Sequence, residues 1–146
     1  MSVIAWDGKS LAADKRACCN GLIRTITKAF DINGVLVAYA GNADGGEEVV
    51  NWFKSGHDPE KFPQSQRGDN WSGLIAIFED GEIWRYESTP YPIKFPPQHF
   101  AIGSGRDYAM AAMYLGKTSA ESVEIASVFD NGCGNGVDVL THRKTC

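Results

Sequence analysis

Residues 35–40, Val35-Leu36-Val37-Ala38-Tyr39-Ala40, form an unbroken apolar run with Gly34 before it and Gly41 after it. A strand with one face in water alternates apolar and polar residues, because successive side chains point to opposite faces. A run with no polar alternate belongs to a strand that is covered on both faces. This strand must therefore lie inside the molecule, with other elements packed above and below it.

The stretches around it carry turn and helix signals. Asp7-Gly8-Lys9 separates two short β-prone runs, 2–6 and 10–13, and Asp80-Gly81 separates 74–78 from 82–86. Asp-Gly between such runs is a strong hairpin signal. Asn33-Gly34 marks a further tight turn, between a short strand at 25–31 and the apolar run, and 18–24 reads as a loop. Gly41-Asn42-Ala43-Asp44-Gly45-Gly46 reads as a break, after which 47–54 places Val50, Trp52 and Phe53 on a helical spacing behind an acidic start that suits the helix dipole. Residues 55–70 are polar and hold Pro59 and Pro63, as expected of a surface connection, and 89–97 is proline-rich and extended. Tyr108, Ala111, Ala112 and Leu115 then predict a helix that Gly116 ends. Thr118-Ser119-Ala120-Glu121 is a capping-box pattern that opens another helix, with Val123, Ala126 and Val128 along it. A glycine-rich loop at 131–136 leads into a last strand at 137–141. Strands and helices that come in runs, without strict alternation, point to one α+β domain over 1–146, with helices packed on antiparallel sheet.

Charge and composition exclude several functions. A net charge of −4 with no basic stripe argues against nucleic acid or an anionic membrane as partner. There is no basic start followed by an apolar run, and no window approaches the roughly 18 apolar residues of a membrane helix, so a cytoplasmic protein is expected. Cys18 and Cys19 are adjacent, Cys133 lies among glycines and Cys146 is the last residue, which is no disulfide framework; free thiols are expected. His57, His99 and His142 are widely spread, and no metal-ligand motif includes them, so no metal is expected. Gly103-Ser104-Gly105 and Gly132-Cys133-Gly134 lack the third glycine of a dinucleotide fingerprint, and Ile102 stands where a nucleophile elbow needs glycine. No cofactor is expected.

The first two residues offer a different chemistry. A methionine before a small residue is normally trimmed, which would leave Ser2 with a free α-amine beside its hydroxyl. Serine is a weak nucleophile at neutral pH and needs a base, and an α-amine, with a reference pKa of about 8, can serve as one.

Ser2-Val3-Ile4-Ala5, Leu11-Ala12-Ala13-Asp14-Lys15-Arg16, Lys28, Val37-Ala38-Tyr39-Ala40-Gly41, Ile102-Gly103-Ser104-Gly105 and Asp130-Asn131-Gly132-Cys133-Gly134 appear in the order seen in proteasome β-type subunits. Over nearly its whole length the chain resembles this branch of the N-terminal-nucleophile hydrolases. The resemblance implies a four-layer αββα sandwich and a peptidase acting through its first residue, usually threonine and here Ser2. It also implies that Lys28 lies beside the nucleophile, paired to Asp14 and supported by Arg16. A cation near the amine would disfavour a second positive charge and keep the amine basic. Ala38 stands where the family has an oxyanion-hole glycine, and Ser104, Asp130 and Cys133 match positions around the terminal amine, Cys133 replacing a usual serine. Ala17, Leu36 and Ala40 match the first specificity pocket and imply an uncharged substrate side chain.

The partners so implied are a peptide or protein substrate, further copies of the chain in a homo-oligomer or ring, and a separate ATPase unfoldase. Two other readings stand beside this one. One is a proteasome-like assembly subunit without catalysis, with Met1 retained, and the other is an N-terminal-nucleophile amidase acting on a small molecule.

Overall fold

The structure is a computed structural model that describes residues 1–143; Cys146, expected as a free thiol, lies outside the described residues. In chain order the strands and helices are β1 (Ile4–Trp6), β2 (Ser10–Asp14), β3 (Arg16–Cys19), β4 (Leu22–Thr25), β5 (Ala29–Ile32), β6 (Val35–Ala40), α1 (Ala43–Lys54), β7 (Gly73–Ile77), β8 (Ile83–Tyr86), β9 (Ile93–Phe95), β10 (Phe100–Ile102), α2 (Arg106–Tyr114), α3 (Ser119–Phe129) and β11 (Val137–Thr141). One sheet runs β10-β1-β2-β11, a second runs β5-β6-β7-β8-β9, and β3 and β4 pair as a separate ribbon. Every pairing is antiparallel.

Side-chain alternation along the strands sorts the apolar residues into separate cores. Ile4, Trp6, Leu11 and Ala13 meet Leu36, Ala38, Ile75, Ile77 and Ile83 between the two large sheets. The opposite faces carry Val3, Ala5 and Ala12 against Ala109, Met113, Val123 and Ala126 of α2 and α3. Val37, Tyr39, Leu74 and Ala76 lie against Val49, Val50, Trp52 and Phe53 of α1. The layers are helix, sheet, sheet, helix, which is the αββα sandwich and the α+β class expected. Each large aliphatic or aromatic side chain buried in this way contributes about 1.5–3 kcal/mol relative to exposure. The apolar run 35–40 is β6, an interior strand with one face in each of two cores.

The hairpins form where Asp-Gly and Asn-Gly place them. Asp7 Oδ1 accepts the N–H groups of Lys9 at 2.9 Å and Ser10 at 2.8 Å, closing the β1–β2 turn. The capping box is complete, with the Thr118 hydroxyl accepting from the Glu121 N–H and the Glu121 carboxylate accepting from the Thr118 N–H.

Several expectations need correction. Residues 18–24 are not a loop but most of the β3–β4 ribbon, which turns through Asn20 (φ 50°) and Gly21 (φ 81°). Its residues from Cys18 onward are exposed on both faces, so no apolar alternation marks it as strand. Helix α1 starts at Ala43, four residues before the expected 47 and inside the glycine-rich stretch read as a break. Tertiary packing overrides the helix-breaking tendency of glycine there: a Cβ on Gly46 would lie 2.1 Å from Tyr39 Cδ1, so only glycine lets the helix approach β6 so closely. β5 begins only at Ala29. On α2 the inward residues are Ala109, Ala112 and Met113, while Tyr108 and Leu115 are exposed, and Val128 of α3 is exposed too. Residues 55–70 do form a surface connection, with two short 3-10 turns, although Phe62 and Gln66 are buried. Among the described residues no helix is long and apolar enough to cross a membrane.

Candidate functional site

Ser2, Asp14, Lys28, Ser104, Asp130 and Cys133 converge where β1 begins and β2 ends. Asp14, the last residue of β2, is fully buried and accepts four hydrogen bonds: Oδ1 from Lys28 Nζ at 2.8 Å and Val3 N–H at 3.1 Å, and Oδ2 from Arg16 N–H at 3.2 Å and Gly134 N–H at 3.1 Å. Lys28 directly precedes β5, and its carbonyl accepts the Tyr39 N–H at 3.1 Å, which fixes its position relative to β6. Its ammonium, 2% exposed, also donates to Ser2 Oγ at 3.0 Å. Taking two charges out of water is expensive, and a buried pair persists only when its remaining lone pairs and protons are satisfied. Here the backbone N–H groups around Asp14 and the Ser2 hydroxyl meet that need.

The Gly103-Ser104-Gly105 turn between β10 and α2 holds Ser2 from the other side. Gly103 has φ +98°, and a Cβ there would lie 2.2 Å from the Ser2 carbonyl oxygen. A Cβ on Gly105 would come within 2.9 Å of Val3 Cβ, and the Gly105 N–H donates to the Ser2 carbonyl at 3.1 Å. The two glycines let the backbone of Ser2 lie against the turn, where Ser104 Oγ accepts the Ser2 N–H at 3.2 Å.

Asp130 and Cys133 complete this side. The Ser104 hydroxyl foremost, then the Gly132 N–H, the Cys133 thiol and the terminal ammonium of Met1 hold the Asp130 carboxyl below its ordinary value against the opposing effect of burial. Burial first, then the charges of Asp14 and Asp130, push the Cys133 thiol up to about 12. Cys133 therefore stays a protonated thiol at neutral pH and donates to Asp130 Oδ2 at 3.4 Å. Arg16 turns away from Ser2: its Nε donates to Asn135 Oδ1 at 3.0 Å and a terminal nitrogen to the Asn131 carbonyl at 2.8 Å. It clamps the loop that presents the Gly134 N–H to Asp14.

Met1 lies over Ser2. Its carbonyl accepts the Ser2 hydroxyl at 2.6 Å, and its side chain rests on Gly132. Met1 also lines a cleft of about 520 Å³, whose walls include Ala17, Cys19, Lys28, Gly41 and Asp44.

Three expected positions are not on that cleft. Leu36, Ala38 and Ala40 share one face of β6 by strand alternation, and Leu36 and Ala38 are buried between the sheets with Ala40 packed beside them. The Tyr39 N–H bonds the Lys28 carbonyl, so alternation turns the Ala38 N–H towards β7, in register with Ile75. That amide belongs to the sheet ladder and does not face the cleft, so Ala38 is corrected as an oxyanion donor and Leu36 and Ala40 as pocket residues. Of the three pocket positions, Ala17 lines the cleft. Gly41 and Asp44 also line the cleft; neither has a site role in the sequence reading, which takes 41–46 as a break after the strand. The signal present for Gly41 was a glycine directly after a buried strand; its φ of +127°, and a Cβ that would meet Ser72 Oγ at 2.9 Å, require glycine there.

No family model matches the chain, and no curated protein matches it. Solved structures do match it. BPH of Thiobacillus denitrificans in complex with epoxomicin superposes with a TM-score of 0.73 at 17% identity, over 97% of this chain and 97% of that one. A further structure of the same BPH gives 0.70 at 17% identity over 98% of each chain. Eukaryotic HslV from Trypanosoma brucei gives 0.68 at 18% identity, over 96% of this chain and 97% of that one. Identities this low speak for the fold alone. The chain has the proteasome β-subunit-like N-terminal-nucleophile hydrolase fold, shared with BPH and HslV.

Proposed function

We propose that the chain is a peptide- or amide-bond hydrolase that uses Ser2 as its nucleophile once Met1 has been removed. The observation that carries this reading is the buried chain of contacts Ser2 Oγ–Lys28 Nζ–Asp14 Oδ1, at 3.0 and 2.8 Å, beside a cleft large enough for a peptide segment. While Met1 is attached, the Ser2 nitrogen is an amide and cannot act as a base. Removal of Met1 leaves an amine on the same residue as the hydroxyl, with Ser104 beside it.

In this reading Ser2 Oγ attacks the substrate carbonyl and its proton passes to the Ser2 amine. The Lys28 ammonium stabilises negative charge developing on Oγ, and Asp14, bonded to it at 2.8 Å, holds it in place. The backbone N–H of Gly41, a residue that lines the cleft, takes the oxyanion role that the resemblance implied for Ala38. The protonated amine then gives its proton to the leaving nitrogen, and water hydrolyses the Ser2 ester. Ser104 positions the amine, Asp130 and the Cys133 thiol position Ser104, and Arg16 acts through the loop that holds Asp14.

The same reading places the protein in the cytoplasm as a homo-oligomer or ring, taking peptide or protein substrates and drawing on a separate unfoldase for folded ones. The exposed apolar residues Tyr114, Leu115, Val128 and Phe129 are consistent with association of copies. A non-catalytic subunit is the reading that a retained Met1 favours.

The test is hydrolysis of a fluorogenic peptide panel by chain whose intact mass lacks one methionine, with Ser2→Ala as control and epoxomicin, the compound bound to BPH, as a ligand probe. Hydrolysis that Ser2→Ala abolishes supports the reading. Met1-free protein that neither cleaves any peptide nor binds epoxomicin overturns it.

A further inference from the structure

We infer that Asp44 makes the cleft selective for a basic substrate side chain, lysine or arginine; this rests on the reading of the cleft as a peptide site. The resemblance implied the opposite, an uncharged side chain, from three apolar positions of which Ala17 lines the cleft. Two cationic groups on the cleft are already committed. Lys28 is paired to Asp14 at 2.8 Å, and the Arg16 guanidinium donates into the loop through Asn135 and the Asn131 carbonyl. Asp44 differs from them: it is an exposed residue that lines the cleft, and one carboxylate oxygen, Oδ1, accepts the Gly45 N–H at 2.9 Å within the first turn of α1. Neither carboxylate oxygen is bonded to a cation among the described residues, and Oδ2 remains open to a donor entering the cleft.

The fold holds this carboxylate in place. Gly45 and Gly46 seat the first turn of α1 directly on Gln66, Ser72 and Tyr39, and Ser72 Oγ donates to the Asn42 carbonyl at 2.8 Å just before the helix. Asp44 therefore rides on a packed helix end and not on a loose loop. Ala17 lines the same cleft with a small side chain, and the cleft, about 520 Å³, has room for an extended ammonium or guanidinium. A carboxylate held on a concave wall attracts a cation more strongly than one on a flat surface.

The test uses two fluorescein-labelled peptides that differ only in arginine against norleucine, bound to Met1-free chain carrying Ser2→Ala, so that no turnover is needed. Hydrolysis by the serine form is read in parallel. The arginine peptide is expected to bind about tenfold more tightly, with the advantage shrinking as salt is raised. Asp44→Asn keeps an oxygen for the Gly45 N–H and so keeps the helix start, but it should bring the binding ratio close to one. Asp44→Lys should invert the ratio in favour of the norleucine peptide. A helix-start role alone would lower thermal stability and leave the ratio untouched. Equal binding of both peptides, no binding of either, or an arginine preference that survives Asp44→Asn overturns the inference. Asp44-dependent binding without hydrolysis by the serine form would instead sink the catalytic reading and leave this inference standing.

Discussion

Replacing Lys28 by methionine removes the ammonium and keeps most of the bulk of its stem. Asp14, fully buried, would then keep only its three backbone donors, Val3, Arg16 and Gly134, at 3.1, 3.2 and 3.1 Å. Removing one partner of a buried ion pair typically destabilises by about 3–5 kcal/mol, because a charge is left uncompensated. The three surviving N–H contacts solvate part of that charge, which puts the loss at the lower end, about 3 kcal/mol, or roughly a 10 °C fall in melting temperature for a chain of this size. Urea unfolding at pH 7, followed by tryptophan fluorescence, reads the loss. The double variant Lys28→Met/Asp14→Asn, with no charge left to strand, should be more stable than the sum of the single losses predicts, by at least about 1 kcal/mol. Peptide hydrolysis by Lys28→Met should fall by about 10²–10⁴, the range for losing a group that assists proton transfer at a nucleophile. A loss in Lys28→Met below about 1 kcal/mol, with no coupling to Asp14→Asn, would refute the claim that the pair is a closed, water-excluded unit.

Three further outcomes follow from the geometry. Gly46→Ala should destabilise by at least about 2 kcal/mol in urea unfolding despite the better helix propensity of alanine, because its Cβ would meet the Tyr39 ring at 2.1 Å. Burial acts to raise the Asp7 carboxyl, but the N–H groups of Ser119, Ser10 and Lys9 outweigh it and hold its value below the ordinary 3.8. A depressed folded value means that Asp7 contributes stability above about pH 4 and loses it as pH falls through the lower folded value, so Asp7→Asn should flatten the acid limb of a stability–pH curve measured by urea unfolding. Native-state alkylation at pH 8, mapped by mass, should modify exposed Cys18 and Cys19 at least about a hundredfold faster than Cys133, whose buried thiol is pushed up to about 12; equal rates would show that Cys133 is open to solvent.

How much of this was legible in the sequence depended on the range of the interaction. The β1–β2 turn, the β7–β8 turn, the Asn33-Gly34 turn and the Thr118 capping box are each decided within a few residues, by a side chain that bonds its own backbone or by a glycine at positive φ, and the structure keeps all of them. The β6 run states its burial in its own composition. The resemblance pointed to Ser2, Asp14 and Lys28, and in the structure Lys28 Nζ lies 3.0 Å from Ser2 Oγ and 2.8 Å from Asp14 Oδ1.

What local sequence could not carry was the outcome of contacts between distant segments. The start of α1 was misread because the tendency of Gly45 and Gly46 to break a helix is local, whereas their close seat on Tyr39 and Ser72 depends on the finished sheet. The β3–β4 ribbon was misread because it buries too little to print a pattern. Short-range spacing and composition were enough to show which strand lies inside, where the tight Asp-Gly and Asn-Gly turns fall and that Ser2 could carry a nucleophile and its base, while Lys28 was reached through the resemblance. That Leu36 and Ala40 face the core between the sheets and that Asp44 lines the cleft followed from strand register and helix seating, which long-range packing sets.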